Sequence, residues 1–467
     1  MTSPAPPRAG AVGAQRIALI SAAVAGFLTP FMGSAVNIAL PAIGDAFELD
    51  AVELGWVTSA FLLSAAVFLL PFGRLADIVG RKRVFIAGLL LFSVATLLCA
   101  GAPSGGALIV FRLLQGAGGA LIFGTGTAIL TSVYPPARLG GALGITVAAV
   151  YLGLSLGPFL GGLLTSWFGW QGIFLFTAPL AFIAAALVAL RLEGEWAEAK
   201  GERFDIVGSV LYGGALVLLM IGLARMPERT GIVLAGAGLV GIGAFIAWEG
   251  RARSPLIELR LFRENTVFAY SNLAALINYS ATFAVPFLLS LYFQYVRGLA
   301  PELTGLVLVV QPAVQTLFSP VAGRLSERIE PRLLASTGMG IIAAGLFVLA
   351  TIGRATPFGL LLTLLGLLGF GFALFSSPNT NAVMSSVEPR VYGIASGTLG
   401  TMRLLGQMLS MALVLLLFAV IMGEARITPE RYPLFLRSAK TAFAIFGVLC
   451  AGGVYASLRR GELRSSA

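Results

Sequence analysis

Residues Leu54–Arg83 read LGWVTSAFLLSAAVFLLPFGRLADIVGRKR. No charge interrupts the first twenty; Arg74 and Asp77 then appear, and Arg81, Lys82 and Arg83 close the stretch. Crossing the hydrocarbon core of a bilayer takes about 20 mostly apolar residues in a helix. This stretch is long enough to cross once and ends in a basic turn. Working outward from it, fourteen apolar runs qualify, at 17–43, 54–77, 84–101, 106–133, 140–164, 171–191, 206–225, 231–249, 266–294, 303–325, 333–353, 357–386, 391–422 and 439–458. The runs are continuous rather than short and alternating. With no water to satisfy the backbone in lipid, helices are the expected spanning form.

Composition agrees. The chain has 467 residues, 58% hydrophobic and 11% charged, with a mean hydropathy of +0.93. A soluble chain carries about 25% charge, so the bilayer is the expected solvent. The 58 glycines suit close approach of membrane helices. Net charge is +10, but the basic residues lie between apolar runs rather than in a patch, which argues against a nucleic-acid partner. Cys99 and Cys450 both fall in apolar runs and there is no histidine. No cluster of ligands predicts a metal, no GK[ST] phosphate loop predicts ATP use, and no cofactor or enzymatic constellation is read.

Loop charge gives the orientation. Of the 31 Lys and Arg, 21 belong to the tails and the loops on their side, eight to the other side, and Arg112 and Arg403 to spans. The positive-inside bias therefore predicts a multi-pass cell-membrane protein with both termini cytoplasmic. The opening residues, MTSPAPPRAGAVGAQR, read as a cytoplasmic tail rather than a removed leader. Two charged segments, Arg191 to Asp205 and Gly250 to Glu264, set off two spans from the rest. GRLADIVGRKR at Gly73–Arg83 is echoed by GRLSERIEPRL at Gly323–Leu333, with Glu327 mirroring Asp77. The expected organisation is a tail (1–16), a six-helix bundle (17–191), a linker region with two additional helices (192–265), a second six-helix bundle (266–460) and a tail (461–467). Parallel repeats of this kind are a transporter architecture.

Gly73, Arg74, Asp77, Gly80, Arg81, Lys82 and Arg83 resemble the loop motif between spans two and three of the major facilitator superfamily. The resemblance implies that fold and a latch that closes the cytoplasmic side as two halves rock. The sequence places the cations at a helix C-terminus, where the dipole favours them. Arg112 and Gln115 in the fourth span are similar to the family's Arg motif, associated there with proton transfer. Gly153, Gly157, Pro158, Gly161 and Gly162 resemble the fifth-span motif of its antiporters; the residues alone also read as a close-packing face. Asn37–Pro41 resembles the first-span motif of the fourteen-span drug:proton antiporter branch, but the acid expected five residues before Asn37 is Met32. The segments around Gln294, Arg324, Asn379, Asn381, Gly397 and Arg403–Gln407 are similar to the same branch, so that the resemblance runs over about residues 15 to 460.

None of the 21 acids sits mid-membrane by sequence, while Arg403 lies about 18 Å into its span. Its expected partners are carbonyls, Asn, Gln or an anionic substrate group. Asn37, Asn278, Tyr279, Gln294, Gln311, Gln315, Asn379, Asn381, Arg403 and Gln407 are the candidates for a polar cavity between the halves. The resemblance implies proton-driven efflux of small amphipathic compounds by a monomeric rocker-switch transporter, with Asp77, Arg112 and Gln115 as coupling candidates. The missing acid leaves an uncoupled or anion-selective exporter as the alternative; a membrane-embedded enzyme or receptor is the reading of another class.

Overall fold

The computed structural model describes residues 9–461 except 253, 389 and 390; the expected terminal tails fall largely outside these residues. Fourteen helices are long and apolar enough to span: Gly13–Phe47, Ala51–Val79, Arg81–Ala100, Gly105–Val133, Arg138–Phe168, Gln171–Arg191, Ile206–Ala224, Arg229–Glu249, Thr266–Val296, Pro301–Leu325, Pro331–Leu349, Phe358–Ser385, Tyr392–Ile421 and Pro429–Arg459, here spans one to fourteen. They run past the apolar sequence at many ends because polar end residues cap them. Asp50 and Glu53 form a reciprocal capping box at span two, with bonds of 2.8 and 3.0 Å. Ser104, Asp205 and Asn265 accept first-turn amides of spans four, seven and nine. Each such cap satisfies a donor the helix itself leaves open. Two spans are not continuous: span nine breaks at Phe283 and ends in a π-helical turn at Tyr292–Val296, and span ten breaks at Val309.

Packing repeats with a shift of eight spans. Span one packs on spans five and six, two on four, and three on four and six; likewise nine packs on thirteen and fourteen, ten on twelve, and eleven on twelve and fourteen. Between the two sets, span two meets span thirteen and span five meets span ten, a pair of seams exchanged by the same shift. Spans seven and eight form a hairpin. Its span seven lies against spans two and thirteen, with Tyr212 donating to the Ala66 carbonyl at 3.0 Å.

An even number of spans puts the two ends of the described chain on one face, the terminal face. Among the described residues, the hydrogen bonds between the first six spans and the last six lie mid-span or toward the opposite face. Ser155 meets Thr316 mid-span at 3.3 Å. Nearer the opposite face, Ser290 donates to the Asn37 carbonyl at 2.7 Å, Gln294 to the Ile38 carbonyl at 3.0 Å, and Arg426 to Glu48 at 2.5 Å. Ser166 donates to Glu302 there, and the Ala51 amide to the Ala425 carbonyl at 3.3 Å. Reporter fusions at Ala197 and Ala467 are expected to read cytoplasmic and one at Ala425 external; an external reading at Ala467 would refute the even span number.

Candidate functional site

The basic turn that ends the opening stretch is built differently from its sequence reading. Gly80, at φ +128°, is a one-residue joint, and Arg81 already begins span three. Glycine is the residue that takes this backbone shape without strain. The three cations therefore stand in the first turn of a helix, where the dipole opposes them, rather than beyond a C-terminus as the sequence suggested. Carboxylates from the segment between spans six and seven compensate. Arg81, 7% exposed, donates from Nε to Asp77 at 2.8 Å, from Nη1 to Glu198 at 2.6 Å and Ser132 at 2.8 Å, and from Nη2 to Glu198 at 2.9 Å. Arg74 pairs with Glu202 at 2.5 Å and Arg83 with Glu195 at 3.6 Å. The backbone joins in: the Arg81 amide donates to Trp196 at 2.8 Å and the Ala199 amide to Asp77 at 2.9 Å. Gly73 stands opposite Gly124 of span four. Apart from Arg81–Asp77, the motif's ion pairs are thus made to the segment that follows span six. The charged stretch Arg191 to Asp205 is its docking partner, a role that its acidic composition beside a basic turn could have signalled.

Arg112 is fully buried, without a carboxylate. Its Nε donates to the Val57 carbonyl at 3.0 Å and its Nη1 to Gln115 Oε1 at 2.5 Å; Gln115 in turn donates to Thr96 at 2.7 Å. The guanidinium stands 4.7 Å from the Phe61 ring centroid, and Nη2 has no partner. Carbonyl, amide and ring offset part of the cost of a charge in the membrane, about 2.5–3.5 kcal/mol at the centre. The motif residues Arg112 and Gln115 are therefore brought together.

The fifth-span glycines face span one. A Cβ at Gly153 would stand 2.5 Å from the Phe27 carbonyl oxygen, one at Gly157 would overlap Ser34, and one at Gly161 would come within 2.8 Å of the Ala35 backbone. Gly162 turns the other way, toward the Pro301 carbonyl of span ten at 2.6 Å, while Gly305 of span ten meets the carbonyl of Pro158. One short stretch thus lets backbone touch backbone within a half and across a seam.

The ten cavity candidates separate. Arg403, Tyr279 and Thr380 meet: Arg403 Nη2 donates to Thr380 Oγ1 at 2.7 Å, and the guanidinium lies 5.7 Å from the Tyr279 centroid. Its partners are a hydroxyl and a ring rather than the carbonyls, Asn or Gln expected. Phe372 meets the same tyrosine edge-on at 5.3 Å, and Ser376 of span twelve stands close to it. Asn379 is buried next to this group and ties three helices: it donates to the Ser271 carbonyl at 3.1 Å and accepts from Arg460 at 3.1 Å. Arg460, the last residue of the expected second bundle, is 1% exposed, and burial pulls its guanidinium down to about 10. Asn37, which accepts from Thr58 at 3.2 Å, and Gln294 belong to the seam near the opposite face. Gln315 and Asn278 are buried, the latter with both amide atoms unpartnered. Asn381 donates to Ser326 at 2.7 Å, and Gln311 and Gln407 are half-buried. Met32 is fully buried in the apolar core. Two surface pockets lie elsewhere, one of about 440 Å³ among Leu223, Ile277, Leu413 and their neighbours and one of about 280 Å³ near Glu249 and Arg263. Among the described residues no group of His, Cys, Asp and Glu could hold a metal.

Fourteen membrane-length helices in a repeated packing, with two seams and a basic joint between spans two and three, have the architecture of a polytopic transporter. The family model of the Major Facilitator Superfamily matches residues 22–411 and 272–462, and the chain belongs to that family. It is 30% identical to the riboflavin transporter RibZ of Clostridioides difficile, with 83% of this chain and 84% of that protein covered. It is 31% identical to the multidrug resistance protein Stp of Mycobacterium tuberculosis (86% and 75% covered). It is 30% identical to the tetracenomycin C resistance and export protein of Streptomyces glaucescens (91% and 80%). Among solved structures, a bacterial homologue of the lysosomal transporter Spinster superposes with a TM-score of 0.70 at 16% identity, covering 96% of this chain and 97% of its own; this likeness shows the fold.

Proposed function

We propose that this transporter exports small amphipathic compounds across the cell membrane by alternating access, as a monomer with both termini cytoplasmic. The observation that carries the reading is the uneven seam: the halves 17–191 and 266–460 are bonded mid-span and toward the opposite face, which suits a state open to the terminal face. Relatives named for drug resistance and export support the cargo class. Asp77 and Arg81 are the latch in this reading. The segment from span six to span seven holds them while the terminal face is open, and they are released to the second half as it closes.

The driving force in this reading is inward proton flow, with Asp77, Arg112 and Gln115 as the coupling candidates. One observation favours a second reading, uncoupled export: Met32 fills the place of the expected first-span acid and is wholly buried among apolar residues. Reconstitution separates the two. With the membrane potential clamped at zero, coupled export from proteoliposomes is expected to fall to the passive rate when a protonophore collapses an imposed pH gradient. Export unchanged by that collapse would sink the coupled reading.

A further inference from the structure

We infer that the Arg403–Thr380–Tyr279 group is the cargo-binding subsite and that it takes aromatic anions, not the lipophilic cations that a membrane cavity lined by carboxylates would attract. This deepens the export reading and rests on it.

The argument starts from charge. Arg403 sits a rise of about 16 Å from Tyr392, the start of span thirteen, at a depth where an unpaired guanidinium is costly. An arginine does not give up its proton in proteins, so its charge must be met. The protein meets it with one hydroxyl, that of Thr380, and one ring face, that of Tyr279. Among the described residues Arg403 forms no ion pair, and its buried Nε has no hydrogen-bond partner. Every acid of the sequence lies at a span end or beyond it. Away from their ends the spans therefore carry Arg112, Arg403, Arg437 and Lys440 but no carboxylate, so a cationic molecule at the depth of Arg403 meets no opposite charge. An anion instead supplies the missing partner, in the fork geometry that carboxylates and sulfonates share.

The surroundings select the rest of the ligand. Tyr279 and Phe372 form an edge-to-face pair beside the guanidinium. Aromatic surface next to a fixed cation suits a flat ring system that carries its charge at one end. Arg112 does not share this role, because it is fully buried among spans two, three and four.

Two dyes with the same three-ring skeleton and opposite charge, fluorescein and rhodamine 123, test the inference. Binding to the full chain in nanodiscs is read by anisotropy, and counterflow is read in proteoliposomes. Fluorescein is expected to bind the parental protein more tightly than rhodamine 123. Arg403→Gln is expected to weaken fluorescein at least about tenfold, Arg403→Lys less because it keeps the charge but loses the fork. Rhodamine 123 should bind Arg403→Gln as well as the parent or better. Rhodamine 123 bound as tightly as fluorescein by the parent overturns the inference without any variant being needed; so does fluorescein affinity unchanged in a folded Arg403→Gln. Counterflow of rhodamine 123 but not fluorescein removes the anion subsite and leaves export standing. Arg403-dependent binding of fluorescein with counterflow of neither dye removes export and leaves the subsite.

Discussion

Asp77→Asn should slow transport about tenfold, the rate equivalent of about 1.4 kcal/mol, with near-parental amounts of folded protein in the membrane. The carboxylate accepts from Arg81 at 2.8 Å on the next helix, so the change removes a charge and leaves the Gly80 joint and both spans intact. Glu198→Gln is the informative companion. Glu198 is 66% exposed at its side chain, and an exposed pair is worth about 0–1 kcal/mol. If Asp77 also secures the state closed to the terminal face, its variant will be slow while Glu198→Gln stays within about threefold of the parent, a span of less than 1 kcal/mol. If the motif only fastens the segment after span six, the two variants will behave alike. Initial export rates at matched expression decide, and a parental rate for Asp77→Asn would end the latch idea.

The second large effect concerns folding. Gly157→Val should deplete folded protein, because the first added carbon already overlaps Ser34 and meets the Phe31 carbonyl oxygen at 3.0 Å. Gly161→Val should act the same way against Ala35. Overpacking of this kind costs typically 1–3 kcal/mol; at Gly157 the obstacles are the Ser34 side chain and then the Phe31 carbonyl, and at Gly161 the Ala35 backbone, which gives least. Gly366→Ala in span twelve is the control, since nothing lies within 4 Å of its added carbon. Thermal unfolding followed by size exclusion checks the set. Parental melting of Gly157→Val would show that spans one and five separate more easily than their packing suggests.

The spans were legible because lipid imposes one rule on every residue: long uncharged runs have nowhere else to go. The motif at Gly73–Arg83 was legible because its charges are confined to a short turn. What it binds was not. Glu195, Glu198 and Glu202 read as a solvated loop, since composition reports polarity but not docking. Arg403 was found by its depth and by the resemblance of its segment, while its partner Thr380 is an ordinary residue whose role depends on how span twelve turns. Asn37 and Gln294 were grouped with the cavity because polarity inside a span marks the bundle interior without saying at what depth. Both lie toward the opposite-face ends of their spans, where the halves already touch. The breaks at Phe283 and Val309 each lie three residues before a proline, Pro286 and Pro312, whose missing N–H leaves the preceding turn without its helical bond; that signal was in the sequence and went unread.

The hairpin of spans seven and eight makes the two seams unequal. Span seven covers the line where spans two and thirteen meet, pinned there by Tyr212, whereas the line between spans five and ten has no comparable cover among the described helices. A hydrophobic molecule dissolved in the surrounding lipid therefore finds one flank of the protein shuttered and the other bare. Any sideways entry from the bilayer is single-sided in a body that is otherwise nearly two-fold, and cargo arriving that way meets the first half through span five and the second through span ten.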